Sequence, residues 1–70
     1  MTQNARTDQR VLAVVIPAYC EETTIRTVIE KVDALDCVRE IIVVDDGSPD
    51  GTTTVVEKLG LPRVKLIRLD

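Results

Sequence analysis

Seventy residues and 7.8 kDa leave room for one small domain at most, and a chain this short with no evident metal or disulfide staple reads as part of a larger domain. Hydrophobic residues at 44% and charged residues at 30% match a segment that folds, which excludes disorder and low-complexity classes. A net charge of -3 and one aromatic residue leave neither a basic surface nor a stacking platform, so nucleic acid is excluded as a partner.

In chain order, residues 1–10 (MTQNARTDQR) form a polar N-terminal extension without the apolar centre of a signal peptide, and the expected setting is cytoplasmic. Residues 11–16 are an apolar, largely β-branched run with no polar alternation, the pattern of a strand covered on both faces and stopped by Pro17. From about Thr23 the period changes. Ile25, Val28, Ile29, Val32 and Leu35 fall on one helical stripe, which predicts a helix ending near Asp36. Glu21, Glu22, Thr23 and Thr24 offer carboxylates and a capping hydroxyl at its start. A second buried strand, residues 41–44, breaks at the turn-rich run DDGSPDG. A short helix through Val55, Val56 and Leu59 follows, with Gly60 as its C-terminal cap and Pro62 beyond it, and residues 64–69 read as a third strand.

The resulting β-α-β-α-β order has one common solution: parallel strands joined by right-handed crossovers, with helices packed on the sheet. Such sheets bind ligands beyond the carboxyl ends of their strands. Here those ends carry residues 17–21 and 45–48, and if the first two strands are neighbours both loops share one rim. A further strand beside the first is expected in the complete domain, because the apolar edge needs a cover.

Several side chains on that rim could carry chemistry. An aspartate at 45 or 46 can accept hydrogen bonds from uracil or guanine, or simply make a turn and cap the next helix. Tyr19 can lie against a base or ribose, or be an ordinary half-buried loop tyrosine. Glu21 can reach a ribose hydroxyl or only favour the helix start. The spacing Asp46-x-Ser48-x-Asp50-Gly51 with Glu57 nearly fits a calcium loop, but such a loop needs an entering helix where residues 40–44 read as strand. Neither phosphate-loop pattern occurs, and without histidine there is no base to pair with a serine or cysteine nucleophile. Cys20 and Cys37 show no metal-ligand spacing and read as reduced thiols.

The pair VVIPAYCEETTI and EIIVVDDGSPDGT resembles the N-terminal segment of inverting family 2 glycosyltransferases, and within them the polyprenyl-phosphate (dolichyl-phosphate) mannosyl- and glucosyltransferases. The resemblance covers roughly residues 11–69, so residues 11–70 are assigned to the N-terminal part of a nucleotide-sugar-binding domain. It implies an α/β architecture, the truncated parallel-sheet start of a GT-A (Rossmann-like) fold. By position it implies donor contacts at Pro17, Tyr19 and Glu21, contacts to the base at Val44 and Asp46, and a supporting role for Asp45. Cys20 departs from the family's usual asparagine, which is expected to weaken hydrogen bonding in that loop.

Transfer of a hexose from GDP-mannose or UDP-glucose to polyprenyl or dolichyl phosphate, with inversion, is the implied activity. Mg2+ or Mn2+ is the implied cofactor, held by a D-x-D motif beyond Asp70, and the complete protein is expected at the cytosolic face of a membrane. The acidic rim repels a diphosphate unless a cation neutralises it, so this stretch is expected to bind donor weakly and to carry no catalytic residue. Two rivals stand beside this reading. A receiver domain that binds Mg2+ also has paired aspartates, but after its first strand; the other rival is a folded piece with no catalytic role.

Overall fold

A computed structural model describes residues 11–69. Five elements follow in order: β1 (Leu12–Ala18), α1 (Ile25–Asp33), β2 (Val38–Asp46), α2 (Thr52–Leu59) and β3 (Val64–Leu69). The strands make one parallel sheet in the order β1-β2-β3, the architecture expected from the sequence. Parallel neighbours need a crossover rather than a hairpin. Two right-handed crossovers taken in the same direction put both helices on one face of the sheet.

The register shows which face that is. Val14, Ile16 and Ala18 lie opposite Ile41, Val43 and Asp45, which in turn pair with Val64, Leu66 and Arg68. The apolar members of this set join Ile25, Ile29 and Val56 of the helices in a single core. The other face carries Val15, Pro17, Ile42, Val44, Asp46, Ile67 and Leu69, and no described helix covers it. Val15 is 58% exposed and Ile67 48%, so of the two covered faces predicted for a parallel sheet only one is covered by the described residues.

Element boundaries depart from the sequence reading for identifiable reasons. β1 does not stop at Pro17 but runs through it to Ala18; among the described residues it has only β2 as a neighbour, and an edge strand tolerates a proline turned away from the ladder. α1 begins at Ile25 rather than near Thr23, because residues 21–24 form a turn closed by hydrogen bonds from Thr24 N–H and Ile25 N–H to the Glu21 carbonyl. Its far end stops at Asp33, leaving Leu35 half exposed. Arg63 fixes that end: its guanidinium donates to the Asp33 carboxylate and carbonyl and to the Val38 carbonyl, tying α1, β2 and the α2–β3 turn together. β2 extends beyond residues 41–44 in both directions, since Asp45 and Asp46 still pair with β3. Gly60 closes α2 in the left-handed conformation, φ 62°, as its place before Pro62 predicted.

Candidate functional site

Ala18 lies opposite Asp45, so the chain leaves β1 and β2 at the same level, and Tyr19 and Asp46 emerge from strands about 5 Å apart. Tyr19 is exposed, as are Pro17, Glu21 and Asp46, and Val44 is half-buried. Pro17 pairs with Val44, and strand alternation puts both on the uncovered face with Asp46. All five residues singled out for donor binding therefore gather at the carboxyl rim of β1 and β2.

Asp45 behaves differently from Asp46. Only 1% of its surface is exposed, and its carboxylate accepts hydrogen bonds from the Ser48 N–H and hydroxyl and from the Thr53 hydroxyl. The Ser48 hydroxyl, then the Thr53 hydroxyl, holds the Asp45 carboxyl below its ordinary value against the opposing effect of burial, with a smaller contribution from Arg68. For Asp45 the turn-making alternative therefore applies, whereas Asp46 stays open to solvent. Asp50 supports the other end of the loop: it accepts from the N–H and hydroxyl of Thr52, and the hydroxyl is the main cause lowering its pKa.

The two loops are bonded to each other. Cys20 N–H donates to Ser48 Oγ at 3.0 Å and Glu21 N–H to Thr52 Oγ1 at 2.9 Å. Glu22 N–H donates to Asp50 Oδ2 at 3.4 Å, and Gly51 N–H returns a bond to Glu22 Oε1 at 3.2 Å. The sequence points to Glu22 only as a helix-start carboxylate and to Ser48 and Asp50 only as near-matches to a calcium loop, and it does not single out Thr52 or Thr53. The spacings Asp45-x-x-Ser48 and Asp50-x-Thr52 are local turn signals of the kind Asx and hydroxyl motifs make, and they were the available clue. Their partners some thirty positions upstream leave no sequence signal.

One expectation for the first loop needs correction. Thr24 does not cap α1: its hydroxyl donates to the Glu21 carboxylate at 3.0 Å and accepts no helix N–H. The bond that Cys20 makes to Ser48 uses its backbone N–H, which any residue but proline supplies. What the position demands is conformation: Cys20 has φ 55°, a region that asparagine tolerates better than most residues.

Both thiols are free, Cys20 exposed on the rim and Cys37 half-buried before β2. The calcium-loop spacing follows a strand, and its Asp50 carboxylate is occupied by Thr52 and Glu22 N–H. Among the described residues no three His, Cys, Asp or Glu side chains gather as ligands for a metal ion, and no helix is long and apolar enough to cross a membrane. A hollow of about 390 Å³ lies at the opposite, amino end of the sheet, lined by Val11, Ala13, Arg39, Glu40, Pro62, Arg63 and Lys65.

This parallel β-α-β-α-β unit with loops gathered at its carboxyl rim matches a known family. The Glycosyl transferase family 2 model matches residues 13–70, and the chain belongs to that family, its fold being the start of a GT-A domain. A curated relative, the undecaprenyl-phosphate 4-deoxy-4-formamido-L-arabinose transferase of Aeromonas hydrophila subsp. hydrophila, is 39% identical over 54 residues, covering 71% of this chain. The chain spans 17% of that relative's length. No solved structure matches it.

Proposed function

We propose that this chain is the nucleoside-binding beginning of a glycosyltransferase that moves a sugar from a nucleotide-sugar donor to polyprenyl phosphate at the cytosolic face of a membrane. The observation that carries the reading is the emergence of Tyr19 and Asp46 from adjacent parallel strands at one level. The relative's name, which specifies undecaprenyl phosphate, supports the acceptor class. GDP-mannose and UDP-glucose are the donors proposed, because an aspartate can accept from guanine N1–H and N2–H or from uracil N3–H.

In this reading Asp46 accepts from the base and Tyr19 lies along base or ribose. Pro17 and Val44 supply apolar contact beneath them, and Glu21 accepts from a ribose hydroxyl. Asp45 supports the loop and touches no ligand. In the transfer, an acceptor phosphate oxygen bonds to the anomeric carbon as the bond to the nucleoside diphosphate breaks, inverting that carbon. No described side chain is assigned to this step.

The described residues do not gather the three or more ligands that would hold Mg2+ or Mn2+: Asp46 is the one rim aspartate left open to solvent. Asp45 and Asp50 spend their oxygens on Ser48, Thr53, Thr52 and Glu22, whereas such hard cations seek about six oxygens. A metal serving the donor diphosphate is therefore proposed to be held by residues outside 11–69.

Calorimetric titration tests the proposal. Without divalent cations, uridine or guanosine should bind at least as tightly as its diphosphate, because the rim's carboxylates repel phosphate. Asp46→Ala should weaken binding of the preferred nucleoside about tenfold or more, the loss of a charged hydrogen bond. Equal affinity of wild type and Asp46→Ala for both nucleosides would remove Asp46 from the site.

A further inference from the structure

Ser48 and Thr52 stand in the same relation to two different neighbours. Each hydroxyl lies beside a carboxylate on its own loop, Ser48 by Asp45 and Thr52 by Asp50. Each also lies beside a backbone N–H of the other loop, Cys20 for Ser48 and Glu21 for Thr52. A hydroxyl has one proton and two lone pairs, and an ionised carboxylate only accepts. The carboxylate therefore takes the hydroxyl's proton in a hydrogen bond and leaves a lone pair aimed at the first loop. Two successive peptides after Tyr19 are held in this way.

Resting on the nucleoside-binding reading above, we propose that Ser48 and Thr52 are positioning residues that latch the loop after β1 to the loop after β2 and so set Tyr19 beside Asp46. Neither hydroxyl needs to touch the ligand. Thr52 is fully buried and Ser48 half-buried, each engaged on both sides. Asp45, itself buried, orients the Ser48 hydroxyl, and Asp50 orients that of Thr52. The unusual backbone at Cys20 fits the same role, since φ 55° turns its N–H to Ser48.

Tyr19 is the one aromatic residue of the chain, so its intrinsic fluorescence reports on this loop alone. The experiment compares the whole chain with Ser48→Ala, Thr52→Val and the double variant, and with Ser48→Thr and Thr52→Ser as hydroxyl-retaining controls. Time-resolved anisotropy of Tyr19 is measured first without ligand, then affinity for uridine and guanosine, with circular dichroism confirming the fold of each variant. The latch predicts faster Tyr19 motion in Ser48→Ala and Thr52→Val and a nucleoside Kd raised about fivefold per lost hydroxyl, consistent with the net worth of one hydrogen bond. The hydroxyl-retaining variants should restore both.

Unchanged Tyr19 motion in folded Ser48→Ala and Thr52→Val overturns the latch even if nucleosides bind. If Thr52→Val fails to fold, Ser48→Ala alone decides, because Ser48 lies outside the fully buried core. Wild-type chain that binds no nucleoside, while the variants still loosen Tyr19, sinks the nucleoside reading and leaves the latch standing as a structural device.

Discussion

Cys20 holds φ at 55°, in the left-handed region where a Cβ crowds the following carbonyl, and this strain gives the clearest stability experiment on the rim. The conformation costs an ordinary L-residue ~1–2 kcal/mol. Cys20→Gly removes the crowding but frees the unfolded chain, which returns ~0.5–1 kcal/mol, so the expected net gain is about 0.5–1 kcal/mol. Cys20→Asn should gain a similar amount, because its short polar side chain tolerates this conformation. Cys20→Val, branched at Cβ, should lose about 1 kcal/mol. All three keep the backbone N–H that donates to Ser48, so the series isolates conformation from hydrogen bonding. Thermal unfolding followed by circular dichroism reads the result, and for a chain of this size the gains correspond to a rise in Tm of roughly 2–8 °C. A valine variant as stable as wild type, or a glycine variant less stable, would refute the argument from strain.

Acid unfolding should expose Asp45 and Asp50. Hydrogen bonds depress both carboxyls in the folded state, so their stabilisation is present above the ordinary aspartate value of 3.8 and lost as pH falls from there through the depressed folded values. Asp45→Asn should flatten that acid limb in urea titrations across this range, and an unchanged slope would contradict it. Arg63→Ala should cost about 2 kcal/mol by urea unfolding, and Arg63→Lys should recover only part, because an ammonium cannot reproduce the fork that reaches Asp33 and Val38. The two faces of the sheet should respond unequally: Ile29→Ala, in the core, is expected to cost about 3 kcal/mol, and Ile67→Thr, on the uncovered face, within about 0.5 kcal/mol of zero. Gly47→Ala should destabilise by about 1 kcal/mol through φ 74° alone, since the added Cβ meets only the Leu69 carbonyl at an ordinary 3.5 Å.

The sheet was legible because burial writes itself into local pattern. The apolar runs of β1 and β2 and the Gly60-Leu61-Pro62 stop are short-range features, and β3 appears at residues 64–69 as read. The helix stripe misled at its ends, where Thr24 turned to Glu21 and Arg63 claimed the Asp33 carbonyl. Tertiary bonds there overrode periodicity. Gathering Pro17, Tyr19, Glu21, Val44 and Asp46 at one rim followed from strand order alone. The different fates of Asp45 and Asp46 were less legible: adjacent residues in a strand point to opposite faces, but only the packed helices decide which face is buried. The bonds from Ser48 and Thr52 to the first loop were beyond reach, because a hydroxyl's distant partner has no periodicity to betray it.

Labelled chain titrated with uridine and guanosine and followed residue by residue by NMR tests the central claim most directly. The account predicts that signals of Tyr19, Val44 and Asp46 shift together along one binding curve, with the amino-end hollow around Arg39 and Pro62 unmoved. Shifts confined to that hollow, or Tyr19 and Asp46 responding with different affinities, would contradict the claim that the two strand ends form one nucleoside site.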